Sequence, residues 1–368
     1  MLYRVVSSVR QRAGSRAVRV MSGSAVLAVA AVTGFAGTQA GYAAVAGHGL
    51  RHDAIRGLRS ASSVLGKGGC GGGAEIAFQA NTGNLWAVGE DQAGDLGYGM
   101  MAGTSPAITC LTGGGYEVAF QANTGNLWTV GQDGHGDWGT PMMAGTSPAI
   151  AALSGGGYEV AFQGSNGDAW TAGPDGVTDY GTPMAPGTSP AITGQAGGGY
   201  QYAFQGSNGY LWIGGNGGRP FYQNLSVRAG TSPAMATLGN GTTVIAWQES
   251  NGCLDIITTG LTSCLGNVGA DSSPSITATN DPTGYMVAFH DMWSNWVNTY
   301  FPGAGVTSVT FGLPIMGGTS PSATILPDGS LEMASQDPGT DLRTGITAPN
   351  SRDWGLGMMP GTSPSISS

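Results

Sequence analysis

Carboxylate and imidazole side chains are the groups of this sequence that could carry acid–base chemistry. The carboxylates recur at equivalent places, namely at Glu75, Glu117 and Glu159 and at Asp95, Asp137, Asp179 and Asp353. General acid–base catalysis needs a few such groups at one point, with pKa values shifted toward the working pH. Regularly repeated carboxylates do not form one centre, so this pattern favours a structural role.

The chain contains four histidines, and one of them lies in a segment that occurs only once. His48 and His52 precede the repeated region, and His135 falls in a polar loop within it. The unique segment, residues 290–293, reads HDMW and is the strongest enzymatic candidate. It falls where a turn between two strands is expected, and Asp is common in turns. The sequence has neither a Gly-x-Ser-x-Gly nucleophile elbow nor a metalloprotease histidine pair. We therefore expect no enzyme and no catalytic residue.

Aromatic side chains recur at two positions and favour ligand binding instead. One set lies on the third predicted strand of the repeat and comprises Trp86, Trp128, Trp170 and Trp212. A second set begins the fourth strand and comprises Trp138, Tyr180 and Trp354. Flat apolar sugar faces stack on such rings, while polar side chains bond the hydroxyls. Together with Gln121 and Gln163, these rings are the candidate sugar-binding residues. For the third-strand set, packing between repeats is the alternative.

Polar loops that contain aspartate could hold calcium, which takes oxygen ligands. The loops 91–95, 133–137 and 175–179 each offer two carboxylates, and the spacing of an EF-hand is missing. Turn formation explains these aspartates more simply. The four cysteines also lack the Cys-x-x-Cys or Cys–His spacing of a zinc site. We therefore expect no metal ion and no cofactor.

These side chains recur because one phrase is repeated seven times. Each copy contains a Ser-Pro pair, with the serine at Ser105, Ser147, Ser189, Ser232, Ser273, Ser320 and Ser363. The spacing of 41 to 47 residues is typical of a four-stranded propeller blade. In one copy, residues 158–163 alternate Tyr, Val and Phe with Glu, Ala and Gln, as in a strand covered on both faces. Turns of the Asn-Gly type then predict tight hairpins.

The repeats predict an all-β protein, a seven-bladed β-propeller of four-stranded antiparallel blades over residues 68–368. The last Ser-Pro strand, residues 362–368, has no further repeat after it, and the first repeat lacks a strong first strand before Gly71. An open ring would leave sheet edges unpaired. We therefore predict that the C-terminal strand joins the first blade and closes the ring.

The N-terminal segment predicts export. Residues 1–46 contain five arginines and no acidic residue, with an apolar stretch from Ala25 and a small-residue cleavage site at 44–46. An uncleaved membrane anchor is the alternative. Residues 47–67 lack the repeat and are predicted to be a linker. We expect the mature protein to be secreted and extracellular, without a membrane span.

Four cysteines in an exported chain predict disulfides. Four cysteines allow three pairings. The segment from Cys253 to Cys264 is short enough to fold as a hairpin with adjacent ends, which favours that pair. Cys70 and Cys110 would then pair, since each lies near the inner strand of a neighbouring blade.

The charge of the chain argues against nucleic-acid binding. The full sequence has 13 Lys and Arg against 22 Asp and Glu, a net charge of −9. Removal of residues 1–46 leaves eight basic against 22 acidic residues, a net charge of −14. A chain this poor in Lys and Arg does not attract DNA, RNA or anionic lipid.

The order Ser-Pro-Ala-Ile, Gly-Tyr-Glu-Val-Ala-Phe-Gln, Asn-Leu-Trp and Asp-Trp-Gly resembles the repeats of seven-bladed lectins of the tectonin and fucose-binding propeller group. It also resembles tandem repeats of secreted actinobacterial proteins. The resemblance covers residues 68–368 and implies sugar binding in shallow pockets between blades, with glycans or glycoconjugates as partners. A non-enzymatic protein-interaction or cell-wall-associated scaffold is the alternative. The sequence leaves the sugar and the oligomeric state open.

Overall fold

The structure is a computed structural model in which residues 70–89, 92–134, 136–262, 264–302, 305–307, 312–346 and 350–368 are described. The predicted export segment 1–46, the predicted linker 47–67 and His135 lie outside the described residues. All regular secondary structure in the described ranges is β-strand, in seven antiparallel four-stranded sheets. The predicted all-β, seven-bladed propeller is therefore confirmed.

Each blade contributes four strands in up-and-down order. Numbered along the chain, they are β1 (Glu75–Gln79), β2 (Asn84–Gly89), β3 (Gln92–Gly99), β4 (Ala107–Cys110), β5 (Tyr116–Gln121), β6 (Asn126–Gly131), β7 (Gly136–Pro141), β8 (Ala149–Ala152), β9 (Tyr158–Gln163), β10 (Asp168–Gly173), β11 (Gly176–Pro183), β12 (Ala191–Gly194), β13 (Tyr200–Gln205), β14 (Tyr210–Gly215), β15 (Gly218–Ser226), β16 (Ala234–Thr237), β17 (Thr243–Gln248), β18 (Leu254–Ile257), β19 (Leu261–Thr262), β20 (Ser275–Ala278), β21 (Tyr285–His290), β22 (Val297–Phe301), β23 (Gly305–Thr307), β24 (Ser322–Ile325), β25 (Leu331–Gln336), β26 (Asp341–Ile346), β27 (Asn350–Gly357) and β28 (Ser365–Ser367). Blade 1 consists of β28, β1, β2 and β3, and the remaining strands form blades 2 to 7 in groups of four, from β4–β7 to β24–β27.

Strand β28, at the C-terminus, completes the blade that begins the described chain. It pairs antiparallel with β1, with Ile366 opposite Ile76. The innermost strands contact one another in a closed circuit, in the order β28, β4, β8, β12, β16, β20, β24 and back to β28. The predicted closure of the ring by the C-terminal strand is therefore confirmed.

A belt of hydrogen bonds explains the repeated serine. In each blade, the serine of the Ser-Pro pair donates its backbone N–H to the hydroxyl oxygen of the equivalent serine in the next blade, at 2.9–3.0 Å. The proline that follows has no N–H and disfavours helical backbone at the serine. The Ser-Pro pair thus leads into an inner strand and links it to its neighbour.

The second strand of each blade is covered on both sides, as the alternating sequence predicts. All six residues of β5 are buried. Val118 and Phe120 pack into an apolar cluster with blade 1, whereas Ala119 packs into a cluster with blade 3. The described core consists of seven such clusters, one at each seam between neighbouring blades. Each seam is named by its two blades, as in seam 2/3.

The topology gives the ring two faces. The turns between first and second strands and between third and fourth strands lie at one end of every blade, the upper face. The turns between second and third strands, and the connections from one blade to the next, lie at the other end, the lower face. Any side chain in a turn is thereby assigned to one face.

Two disulfides pair the cysteines as predicted. Cys70 and Cys110 join the start of blade 1 to β4 of blade 2, with their Cα atoms 5.6 Å apart. Cys253 and Cys264 lie within blade 5, with their Cα atoms 4.7 Å apart. The described residues contain no helix with the length and apolar character needed to cross a membrane.

Candidate functional site

Gln121 and Gln163, two of the predicted sugar ligands, end the second strands of blades 2 and 3 and are buried. The side-chain amide of Gln121 donates to the carbonyl oxygen of Met143 at 3.2 Å. The amide of Gln163 donates to the carbonyl oxygen of Gly167 at 3.0 Å. These bonds fix the backbone of the lower face, so both glutamines have a structural role. Contact of Gln121 or Gln163 with sugar stays a prediction, and the burial of both side chains does not support it.

The third-strand tryptophans are half-buried and pack within their own blades. Each ring lies beside the phenylalanine of the adjacent second strand, with ring centroids 6.1–6.4 Å apart, in the pairs Trp86–Phe78, Trp128–Phe120, Trp170–Phe162 and Trp212–Phe204. The indole N–H groups of Trp170 and Trp212 donate to the turn residues Asn166 and Asn208, at 3.0 and 3.1 Å. All four rings also pack against the apolar cluster at the seam with the preceding blade, so this geometry supports packing both within and between blades. Sugar binding by this set stays a prediction.

The repeated aspartates of the fourth strands hold a bend. Each carboxylate accepts a hydrogen bond of 2.7–2.8 Å from the N–H of the glycine two residues later, in the pairs Asp95–Gly97, Asp137–Gly139, Asp179–Gly181 and Asp353–Gly355. These glycines have φ between 58° and 77°, which glycine adopts without strain. The carboxylates are therefore structural, as their repetition predicts, and the bend positions the residue between aspartate and glycine, which is aromatic in three of the four and Leu96 in blade 1.

The seam 2/3 shows where that aromatic residue lies. The indole N–H of Trp138 donates to the hydroxyl of Thr129 at 2.9 Å, and this hydroxyl also bonds the phenol of Tyr158, from blade 3, at 2.9 Å. Glu117 lies in the same seam, where burial raises its pKa to about 7, although the N–H of Asp133 donates to it at 3.0 Å. The tyrosine of the following blade thus fills the seam beside Trp138, and the upper-face turns above it line a cleft of about 440 Å³.

The seam 3/4 repeats the arrangement with tyrosines. The hydroxyls of Thr171, Tyr180 and Tyr200 form a triangle with sides of 3.0, 3.1 and 3.2 Å. Tyr180, a predicted sugar ligand, is only 4 % exposed, with its ring centroid 4.9 Å from that of Tyr202 in blade 4 and its hydroxyl bonded to Tyr200. Burial also raises the pKa of Glu159 in this seam to about 7, against the opposing hydrogen bonds of Thr171 and Tyr200. Sugar binding by Tyr180 stays a prediction.

The side chain that fills these seams comes from the start of the second strand in the following blade. It is large in five blades, where it is Tyr116, Tyr158, Tyr200, Tyr285 or Leu331. In blade 5 it is Thr243, and in blade 1 it is Ala74, the residue before β1. A small side chain leaves the space of a phenol ring, so seams 4/5 and 7/1 are the places where an upper-face opening is expected.

Seam 7/1 contains a cleft of about 520 Å³, the 7/1 cleft, which Ala74 helps to line. Trp354, a predicted sugar ligand, lies in its wall and donates its indole N–H to the hydroxyl of Thr344 at 3.2 Å. The guanidinium carbon of Arg352 is 3.5 Å from the centre of the Trp354 ring, a cation–π contact. Glu332 occupies the position of the repeated glutamates and also lines the cleft. An aromatic ring, a cation and a carboxylate thus surround one space.

A second opening, the 4/5 cleft, lies on the blade 4 side of seam 4/5 and has a volume of about 460 Å³. Gln201, Arg219 and Phe221 line it, and 59 % of the Phe221 surface is exposed. Gln195, also in its wall, donates to the hydroxyl of Thr243 at 3.1 Å. This cleft also combines an aromatic ring, a cation and a side-chain amide.

The two clefts hold two of the four arginines that follow residue 67. In the described part of the chain, the ion pairs all belong to Arg343, which contacts Asp337 at 2.8 Å and Asp353 at 3.1 Å. Arg219 and Arg352 therefore have no carboxylate partner among the described residues. Each guanidinium carries five N–H donors, so both clefts offer donors to a ligand.

Residues 290–293 are the remaining sequence candidate for catalysis. They lie at the end of a strand and in the turn that follows it, as the sequence predicted. His290 ends β21 in the position of the repeated glutamine, and burial lowers its pKa. Residues 291–296 connect β21 to β22, with the N–H of Ser294 donating to the carbonyl oxygen of Asp291. The side chain of Trp293 is 79 % exposed at the tip of this turn.

Sequence reasoning missed Arg219, Arg352, Ala74 and Thr243. The repeated motifs contain only the residues that the repeats share, whereas the clefts depend on positions at which one repeat differs from the others. An internal alignment of the seven second strands carries the relevant signal, because the tyrosine is replaced by a small residue in two of them.

No protein-family model matches the chain, and no curated protein matches it in sequence. Solved structures do match its fold. AofleA from Arthrobotrys oligospora has a TM-score of 0.51 at 14% identity, over 74% of this chain and 91% of that chain. The SapL1 lectin, in complex with alpha methyl fucoside, has a TM-score of 0.50 at 16% identity, over 72% of this chain and 98% of that chain. Virginiamycin B lyase from Staphylococcus aureus has a TM-score of 0.48 at 15% identity, over 67% and 82%. At these identities the similarity establishes the propeller fold alone.

Proposed function

We propose that this protein is a secreted, lectin-like propeller that binds carbohydrate in clefts between its blades. The observation that carries the proposal is the 7/1 cleft, where Trp354, Arg352 and Glu332 surround a space of about 520 Å³. An indole ring stacks on the apolar face of a sugar. A guanidinium donates to sugar oxygens, and a carboxylate accepts from sugar hydroxyls. The three groups therefore match the three kinds of surface that a pyranose offers.

The fold comparison supports the same ligand class. The SapL1 lectin shares the propeller fold and has been observed with alpha methyl fucoside. That protein is only 16% identical to this chain, so its ligand is a first probe and not an assignment. The tectonin-like and actinobacterial resemblance of the repeats, and glycans or glycoconjugates as partners, belong to the same proposal.

Binding without catalysis is proposed because Asp328, one of the two carboxylates of the 7/1 cleft, suits an acceptor better than an acid. Glycoside hydrolysis commonly requires one carboxylic acid of raised pKa opposite a second carboxylate. Asp328, which lines the cleft with Glu332, accepts hydrogen bonds from the N–H and hydroxyl of Ser330, at 2.8 and 2.6 Å. These bonds lower the pKa of Asp328. An ionised carboxylate accepts sugar hydroxyls but does not protonate a leaving group.

The proposal places sugar at two seams instead of one site per blade. Among the described residues, no aromatic or basic side chain lines the cleft at the turns of seam 2/3. Tyrosine fills the seams beside Trp138 and Tyr180, whereas small residues stand at the equivalent position in seams 4/5 and 7/1. Both clefts lie on the upper face, so one densely glycosylated surface can engage both. Two linked weak sites gain on the order of 10²-fold in avidity when both engage.

Filling the clefts tests the proposal. Ala74→Tyr and Thr243→Tyr introduce the residue that blades 2, 3, 4 and 6 carry at this position, so the fold is expected to be kept. In a glycan array and in titrations with alpha methyl fucoside, the double variant is expected to lose binding at least tenfold, with an unchanged or higher melting temperature. Equal binding by the variant and the wild type, or no binding by the wild type to any arrayed glycan, would contradict the proposal.

Export is part of the proposed function. Residues 1–46 are proposed as a cleaved signal and residues 47–67 as a linker, and the two disulfides are compatible with an oxidising compartment. N-terminal sequencing of the protein from culture medium is expected to begin after Ala46. Retention of residues 1–46 on a membrane-bound product would support the anchor alternative.

A further inference from the structure

We propose a second saccharide site on the lower face of the ring, between blades 4 and 5, for a neutral oligosaccharide. The site, called the Arg228 site, is a cleft of about 610 Å³ lined by Tyr210, Ser226, Arg228, Ser250 and Asp271. It lies among second-to-third-strand turns and blade connections, whereas the 7/1 and 4/5 clefts lie on the upper face. The Arg228 site is thus independent of the proposed upper-face sites.

An exposed aromatic surface leads into this cleft. The rings of Tyr210 and Tyr222 are 6.4 Å apart, and the ring of Trp212 is 5.6 Å from that of Tyr222. Tyr210 is 36 % exposed and Tyr222 is 56 % exposed. Exposed aromatic rings that adjoin one another mark a binding surface. Three neighbouring rings give a platform longer than one sugar residue needs.

Polar groups are fixed beside the platform. The hydroxyl of Ser226 donates to the carboxylate of Glu249 at 2.6 Å, and that of Ser250 donates to the same oxygen at 3.0 Å. These bonds, the one from Ser226 first, lower the pKa of Glu249. The two hydroxyls also bond each other at 2.9 Å, so their protons are engaged within this cluster and their oxygens keep acceptor capacity at the cleft wall. Arg228 and Asp271, in contrast, have no ion-pair partner among the described residues.

Arg228 interrupts the repeat at this site, whereas the position of Glu249 is acidic in blades 5, 6 and 7. Where blade 4 ends with Arg228, the other blades have Met101, Met143, Ala185, Gly269, Met316 and Met359, each in the same backbone hydrogen bond. Where Glu249 follows β17, the equivalent residues are Ala80, Ala122, Gly164, Gly206, Asp291 and Asp337. Structural side chains follow the repeat in this protein, so a concentration of departures from it at one cleft points to a ligand.

Asp271 is the strongest of these departures. It has φ of 59°, at a turn position where the other six blades have glycine with φ of 75° to 80°. A left-handed conformation is costly for a residue with a side chain, although Asp tolerates it better than most. Glycine avoids this backbone strain at the equivalent turn of the other six blades. Retention of the strain at Asp271 points to a functional role for this residue.

The combination of groups selects the class of ligand. Arg228 supplies donors only, whereas Asp271 supplies acceptors only. A sugar hydroxyl can accept from the first and donate to the second, and its ring can stack on Tyr210. Glu249 and Asp271 together outweigh the charge of Arg228, so an anionic polymer is disfavoured. A neutral oligosaccharide fits the platform and the cleft together.

The test uses variants that follow the repeat. Arg228→Met and Asp271→Gly introduce the residues that other blades have at these positions. Asp271→Gly also removes the steric cost of a side chain at positive φ. Titrations use cellotetraose, chitotetraose and maltotetraose in the Ala74→Tyr, Thr243→Tyr background, in which the upper-face clefts are filled. At least one tetrasaccharide is expected to bind the protein whose upper-face clefts are filled. Addition of Arg228→Met and Asp271→Gly is expected to weaken that binding by on the order of tenfold or more.

A matched pair on one strand supplies the control. Tyr222 and Phe221 are adjacent in β15 and similarly exposed, at 56 % and 59 %, but Phe221 lines the upper-face 4/5 cleft. In the otherwise unmodified protein, Tyr222→Ala is expected to reduce tetrasaccharide binding at the lower face, detected by the shift of Tyr210 resonances. Phe221→Ala is expected to weaken binding in the 4/5 cleft and to leave the tetrasaccharide-induced shift of Tyr210 as in the wild type. Absence of binding by all three tetrasaccharides, or equal binding after Arg228→Met and Asp271→Gly, would overturn the Arg228 site and leave the upper-face proposal standing.

Discussion

The backbone N–H of Ser363 donates a 2.9 Å hydrogen bond to the hydroxyl oxygen of Ser105, which lies 258 residues earlier in the chain. Ser105 in turn donates its own N–H to Ser147, at 2.9 Å. The contact between the two ends of the ring therefore has the same geometry as the contact between consecutive blades. The belt of serines is closed, and the last blade is held as the others are.

Substitution of the closing serine tests whether this contact is equivalent to the others. Ser105→Ala leaves the N–H of Ser363 without an acceptor, which costs about 1 kcal/mol and lowers the melting temperature by about 2–4 °C. Ser189→Ala removes an internal bond of the belt, the acceptor of Ser147, and is expected to cost the same. A destabilised Ser189→Ala beside an unaffected Ser105→Ala would show that the ring is not closed here.

Removal of the C-terminal strand is expected to be far more damaging. Deletion of residues 360–368 removes β28, exposes the edge of β1 and breaks the inner circuit between β24 and β4. We expect a loss of cooperative melting, measured by circular dichroism. Deletion of residues 1–46 is the control and is expected to leave the melting curve unchanged. A normal melting curve from the C-terminal truncation would disprove closure.

The two disulfides are expected to differ in their contribution to stability. Cys70–Cys110 closes a sequence separation of 40 residues, and Cys253–Cys264 closes one of 11. The entropy of loop closure in the unfolded chain then predicts losses of about 4 and about 3 kcal/mol when the pairs are replaced by alanine. Denaturant unfolding of the two double variants measures both values. An unchanged melting temperature after reduction of the wild type would be inconsistent with either bond.

Three buried carboxyl groups make stability depend on pH. Burial raises the pKa of Glu75, Glu117 and Glu159 from 4.5 to about 7. The folded-state pKa of these three groups lies above the unfolded value. Their contribution to the free energy of unfolding is therefore fully present below about pH 4.5 and is lost as the pH rises through about 7. Melting temperatures between about pH 4 and 8 are expected to fall over this interval, and Glu117→Gln is expected to flatten the fall. An equal slope for Glu117→Gln and the wild type would exclude this origin.

Two equivalent tryptophans are expected to behave differently. Trp354→Ala removes the ring that lines the 7/1 cleft, so sugar binding is expected to fall at least tenfold. Trp138→Ala removes a ring that Tyr158 and Thr129 already engage, so we expect lower thermal stability with little change in binding. Titration and melting of both variants separate the roles. Equal losses of binding would instead support the repeated sites that the sequence predicts.

The architecture was predictable because every repeat folds by the same local rules. Alternating apolar residues specify a strand that is covered on both faces, as in Tyr158–Gln163, and glycine-containing turns connect such strands. The count of Ser-Pro pairs gave the number of blades, and an unpaired last strand required closure. The pairing of Cys253 with Cys264 followed from their nearness in the chain. In such quasi-one-dimensional arrays, each unit contacts mainly its neighbours.

The candidate site was not predictable in the same way, because each seam takes its two walls from different repeats. Trp138 and Trp354 occupy the same position in their repeats, and the local sequence does not separate them. The Tyr158 hydroxyl bonds the same threonine as the first ring, whereas the blade after Trp354 is blade 1, which offers Ala74 from the opposite end of the propeller sequence. Local periodicity fixes a strand and the side on which a residue projects. The empty space beside a residue depends on which distant segment packs there, and that became known only from the closed ring.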